Sequence, residues 1–240
     1  MAAGLVLGLA GTAEALADLP PLPDPEFEVV ATLQEGPGSI AVTPQGRIII
    51  SKHQYYGPEY RVVELHADGS TTPFPNEAWS RAPGADGVGL NAVLGLRSDP
   101  RGVVWMLDNG GDVPNVVAWN TEDDRLERVI HIPAPATRPG SLHNDLAVDI
   151  VNDALYLADI GVDRGPAIGV TGPSGSYRVY VRDDERLSWP DGISAGPDGW
   201  MYATVNKLHR SAVLNGGEGL SERPYYVVRF RSVSAAVPGR

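Results

Sequence analysis

Apolar and polar residues alternate over short stretches of this chain, and one such stretch returns four times. The copies are Ile40–Ser51 (IAVTPQGRIIIS), Leu94–Asp108 (LGLRSDPRGVVWMLD), Leu146–Asp159 (LAVDIVNDALYLAD) and Ile193–Asn206 (ISAGPDGWMYATVN). Each reads as an alternating run, a tight turn and a second apolar run, the pattern of a β-hairpin. The turn positions Gly46, Gly102, Asp153 and Gly199 recur about every 50 residues, close to the spacing of blades in a radial β-array. One hairpin cannot bury its own apolar face, so the copies must pack against each other. No segment keeps a helical period. The predicted class is all-β, a β-propeller.

The first unit is predicted to hold strands Gly38–Pro44, Arg47–Lys52, Arg61–His66 and Thr71–Phe74. The second holds Ala92–Ser98, Val103–Leu107, Asn115–Asn120 and Arg125–Ile132. The third holds Asp145–Asp149, Ala154–Ala158, Pro166–Val170 and Ser176–Val181. The fourth holds Gly192–Gly196, Trp200–Val205 and Tyr225–Arg231, and then only the tail 232–240 is left. Phe27–Leu33 (FEVVATL) is a spare strand ahead of the first unit. A closed ring uses it to complete the last blade, satisfying two sheet edges that would otherwise invite aggregation. The propeller is therefore assigned to residues 27–231.

Ahead of it, Gly4–Gly11 is a short apolar run and Ala15–Ala17 a small-x-small pattern before Asp18. Residues 1–17 are expected to be a signal peptide, 18–26 a stiff proline-rich linker, and the protein secreted or periplasmic. The net charge of -11 repels phosphate backbones and anionic lipid surfaces, so neither nucleic acid nor membrane insertion is expected. With no cysteine, disulfides and thiolate chemistry are excluded.

Four phrases carry a family resemblance: Gly46–Leu65, Val93–Gly110, His143–Asp149 and Leu187–Ala212. Together they resemble a bacterial member of the major royal jelly protein/yellow family. The resemblance implies a secreted, six-bladed propeller, and a small-molecule site in the channel. It also implies proton-transfer isomerisation of the dopachrome-tautomerase kind. Family members are longer; here the third unit passes through Thr171–Arg186 almost directly into the last blade, leaving sequence for about four blades. An incomplete ring would leave a gap or self-associate through open edges.

In a propeller, residues just before the innermost strand and just after the second strand share one face. That rule gathers Glu35, Asn91, Asn144 and Asp191 with His53, Asp108, Asn109, Asp159, Asn206 and His209, and sets Trp189 at the channel mouth. Asn91, Asn144, Asp191, Asn206 and Trp189 are the candidate ligand contacts. Trp189, with Tyr55 and Tyr56, offers a stacking wall for an aromatic ligand. His53 and His209 are the candidate proton carriers, since imidazole titrates near neutrality. The phrases Glu35–Pro37, Asn144–Asp145 and Pro190–Gly192 are also similar to gluconolactonase/senescence-marker propellers. That likeness implies a divalent cation, Ca²⁺ or another, on Glu35, Asn91, Asn144 and Asp191, all hard oxygen donors. It makes a metal-dependent lactonase the alternative function. A non-catalytic or degenerate interaction module is the third. No serine elbow, zinc-protease pair, P-loop or dinucleotide fingerprint is present.

Overall fold

Each repeat unit folds as an antiparallel sheet, its own strands in chain order and, in the last blade, the N-terminal strand added at the outer edge. The structure is a computed structural model describing residues 27–132, 143–150, 154–159, 183 and 185–231. The first blade is β2 (Pro37–Val42), β3 (Ile48–Lys52), β4 (Val62–Leu65) and β5 (Thr71–Pro73). The second is β6 (Val93–Ser98), β7 (Val103–Asp108), β8 (Asn115–Asn120) and β9 (Arg125–His131). A hairpin of β10 (His143–Asp149) and β11 (Ala154–Asp159) follows. The last blade is β12 (Pro190–Ala195), β13 (Trp200–Val205) and β14 (Tyr225–Arg231), completed by β1 (Phe27–Leu33). Phe27 pairs with Phe230 and Leu33 with Tyr225, so the N-terminal strand closes the last blade as predicted. One short helix, α1 (Glu77–Ser80), capped by the Asn76 side chain, lies between the first two blades in sequence. No helix among the described residues is long and apolar enough to cross a membrane. The expected leader 1–17, linker 18–26 and tail 232–240 lie outside the described residues, as do strands Pro166–Val170 and Ser176–Val181.

Alternation along each strand sends neighbours into different layers, which is why the core is a stack rather than one mass. Ile50 faces the last blade, packing with Ile40, Trp200 and Tyr225. Ile49, beside it, faces the second blade with Leu90, Leu96 and Met106. Trp105 turns to the far side of the second blade, beside Leu107 and Leu146 of β10. The hairpin turns close with Gly46, Gly102 and Gly199 at φ of 82°, 75° and 77°, a left-handed conformation that disfavours other residues.

The innermost strands run in the order β12, β2, β6, β10 around the axis. Two glycines let them approach. A Cβ on Gly192 would lie 2.6 Å from the backbone of Ser39 and Ile40, and one on Gly95 2.9 Å from Leu146 and 3.2 Å from Asp145. Serine hydroxyls reinforce the contact. Ser194 Oγ accepts the N–H of Val42, and Ser39 Oγ that of Leu96.

The four innermost strands among the described residues share one irregularity. Their register with the second strand slips between Pro37 and Ile40, Val93 and Gly95, His143 and Asp145, and Pro190 and Ile193. Each slip is a bulge, which re-aims a side chain. The residue after the opening pair is Gly38, Leu94, Asn144 and Asp191 in turn.

Candidate functional site

Asn144 and Asp191 thus occupy the same position in two inner strands, although their immediate neighbours differ. Asp191 is the more constrained. Asn206, fully buried at the end of β13, donates from Nδ2 to Asp191 Oδ2 at 2.6 Å and accepts Leu208 N–H on Oδ1 at 3.0 Å. Both ends of the Asn206 amide are occupied, so one carboxylate oxygen is fixed in place. The Asp191 side chain is open to water, while protein crowds its remaining sides. Such an atom lines a concave wall, not a convex surface. Its pKa is raised, first by this burial, opposed by the Asn206 hydrogen bond, and raised again by the charge of Asp145.

Asp145 follows Asn144 and is held by an ion pair with Arg97 of β6. The sequence rule missed both. Asp145 was hidden by its place at the start of a strand, and Arg97 by the apolar residues around it.

The chain reaches Asp191 through a strained turn. Trp189 has φ of 66° and Lys207 φ of 53°. A non-glycine residue in this region costs about 1–2 kcal/mol, and such outliers cluster where a site is shaped. Trp189 carbonyl accepts Asn206 N–H at 3.3 Å, tying the turn to β13. The Trp189 indole is exposed and stacks on the His209 ring at 5.5 Å and 15°. His209 Nδ1 is buried with no hydrogen-bond partner among the described residues. Tyr56 completes this side: its hydroxyl donates to Asn206 carbonyl at 2.6 Å and its ring lies 5.2 Å from Tyr225.

The other predicted residues stand elsewhere. Glu35 lies before β2 and is ion-paired with Lys52. His53 is buried and caps a short 3-10 turn, its Nδ1 accepting Tyr55 N–H at 3.3 Å. Burial pushes its pKa down to about 4, so the ring is neutral at pH 7. Asn91 is packed over Gly110 and lines a depression beside the second blade. Asp108 is buried, with its oxygens accepting N–H groups of Asn91, Ala92 and Gly110. Asn109 accepts His143 N–H on Oδ1 at 3.1 Å, and Asp159 pairs with His143 at the end of β11. The structure therefore brings together Asp191, Asn206, Trp189, His209 and Tyr56, while Asn144 holds in β10 the strand position that Asp191 holds in β12. Glu35 is engaged by a cation of its own, and Asn91 faces a different space. Among the described residues no three His, Asp or Glu side chains converge as a metal cluster.

No protein-family model and no curated protein matches the chain. Solved structures do. A putative glucose dehydrogenase from Thermus thermophilus is similar at TM-score 0.50 and 16% identity, over 86% of this chain and 99% of that one. A virginiamycin B lyase from Staphylococcus aureus gives TM-score 0.36 and 16% identity, over 78% of this chain and 55% of the lyase. A putative gluconolactonase gives 0.33 and 18%, over 81% of this chain and 58% of that one. The chain thus spans little more than half of the latter two proteins. The first likeness agrees with the β-propeller fold. The resemblance to the yellow family gains no support from these comparisons.

Proposed function

We propose that the chain hydrolyses a small cyclic ester at the axial face of its propeller, with Asp191 as the carboxylate beside the attacking water. The observation that supports this most is the state of Asp191: open to water, crowded by protein, and anchored through one oxygen by Asn206. A carboxylate with a raised pKa in a concave site is suited to general base catalysis. It takes a proton as water adds to the ester carbonyl. It returns that proton to the ring oxygen as the carbon–oxygen bond breaks, leaving a hydroxy acid.

Asp191 and Asn144, hard oxygen donors at matching positions of β12 and β10, are the residues that would hold a divalent cation. Magnesium-type sites need only one or two carboxylates, with water and substrate completing the shell. When bound, such an ion supplies Lewis-acid polarisation of the carbonyl. Glu35 and Asn91 are not assigned to it.

The test is a panel of five- and six-membered lactones followed by pH-stat, alongside calorimetric titration with Mg²⁺ and Ca²⁺. Wild-type hydrolysis that disappears in Asp191→Asn supports the reading. Hydrolysis untouched by that substitution, or absent for every lactone with and without metal, overturns it.

A second reading draws on Trp189. An aromatic ligand could stack on its outer face, the inner one being covered by His209. His209 would then pass a proton during isomerisation. Aromatic binding lost in Trp189→Ala but kept in Asp191→Asn would favour that reading.

A further inference from the structure

A row of polar residues crosses one edge of the second blade, where β7 and β9 end and β8 begins. Asp108 pairs with Asn115, and Asn115 pairs with His131. Directly paired residues share a sheet face, so their side chains project together. Helix α1 and the loop after it fold over this row and leave a depression of about 340 Å³. Trp79 and Asn91 form its other walls. It opens at the end of the second blade, apart from the group around Asp191.

The chemistry of this space is neutral and polar against one aromatic ring. Asp108 has its charge spread over three backbone N–H groups at 2.8–3.0 Å and has little left for a cation. The side chains of Asn91, Asn115 and His131 make no hydrogen bond to any described residue, though all border the cavity. Two amides and an imidazole supply both donors and acceptors. Trp79 is half-buried, its edge set against Trp119 at 6.4 Å. Pro83, Val113 and Val129 add apolar surface. Three uncommitted hydrogen-bonding side chains beside an indole match a ligand with several hydroxyls around an apolar ring face.

We propose that this depression binds a neutral saccharide ring, with Asn91, Asn115 and His131 hydrogen-bonding its hydroxyls and Trp79 packing against its C–H face. The site is separate from the proposed hydrolytic one and does not rest on it.

The experiment titrates the full chain with glucose, galactose, mannose, xylose and N-acetylglucosamine, read by calorimetry and tryptophan fluorescence. At least one sugar is expected to bind saturably, with Kd near ~1 mM. Asn115→Ala and His131→Ala lie at strand ends and each should weaken that sugar about five- to ten-fold. Asp191→Asn should leave its Kd unchanged. The proposal is overturned if the folded wild type binds none of the sugars up to ~100 mM. It is equally overturned if both strand-end variants bind like wild type, or if Asp191→Asn abolishes binding. Lactone hydrolysis is measured on the same variants. Its loss in Asp191→Asn alone separates the fate of the channel reading from this one.

Discussion

Ser194 Oγ accepts the backbone N–H of Val42 at 2.9 Å, so a side chain of β12 satisfies a main-chain donor of β2 in the neighbouring blade. Both residues are buried. Ser194→Ala leaves that donor without its partner in a dry interface, at a cost of about 1–3 kcal/mol. Urea unfolding should show a lower midpoint with an unchanged slope. Ser39→Ala, which removes the matching bond to Leu96 N–H, should behave alike. Wild-type midpoints for both would mean the hydroxyls add nothing to blade docking.

Asp191 stands where burial disfavours its charged form. Its folded pKa is raised, so its contribution to stability is present below the unfolded pKa and is lost as pH rises through the folded value. Asp191→Asn should therefore raise Tm at pH 7 and bring little gain at pH 3, while abolishing hydrolysis. Asn206→Ala removes the hydrogen bond that lowers this pKa, so the carboxyl should titrate higher still, as seen by carbon-detected NMR. An equal Tm change at both pH values for Asp191→Asn would contradict the assignment.

His53 behaves in the opposite sense. Its folded pKa of about 4 lies below the ordinary 6.5, so its stabilising contribution is full above pH 6.5 and fades as pH falls through 4. The loss amounts to about 3 kcal/mol between those limits. His53→Asn keeps a side-chain acceptor for the Tyr55 N–H and removes the titration. Its stability should be flatter than wild type between pH 6.5 and 4, measured by urea unfolding at fixed ionic strength.

Strand β1 covers the edge of β14 along Tyr225–Phe230. Removing residues 27–33 uncovers that edge and the apolar residues beneath it, including Val227. Sedimentation velocity should show the truncated chain associating more than the intact one. A truncated protein with unchanged sedimentation and Tm would show that the pairing is dispensable.

Strands were legible because burial on two faces writes itself into alternation. Ile49 and Ile50 are neighbours in sequence yet belong to different layers. The closing role of Phe27–Leu33 was legible from a surplus strand at one end and a missing one at the other. Helix α1 was not, since four residues fixed by the Asn76 cap have no period to detect. The site was legible only in part. Asn144 and Asp191 match only through the register slip after the opening pair of their strands, which no local pattern reveals. Glu35 and Asn91 fit the same motif logic, but Lys52 and Gly110, their partners, are set by register and loop path. His53 looked like a proton carrier; its ring is the cap of a turn.

The extra residue near the start of the four described inner strands has an evolutionary meaning. It has no one-to-one partner across the ladder, although at Gly38 a Cβ would meet Ser51 Oγ at 2.7 Å and Asp191 is tied to Asn206. Glycine, leucine, asparagine and aspartate already fill the four versions. Of the four, Gly38 is closed to any larger side chain by its packing, so new chemistry at the hub enters through the other three.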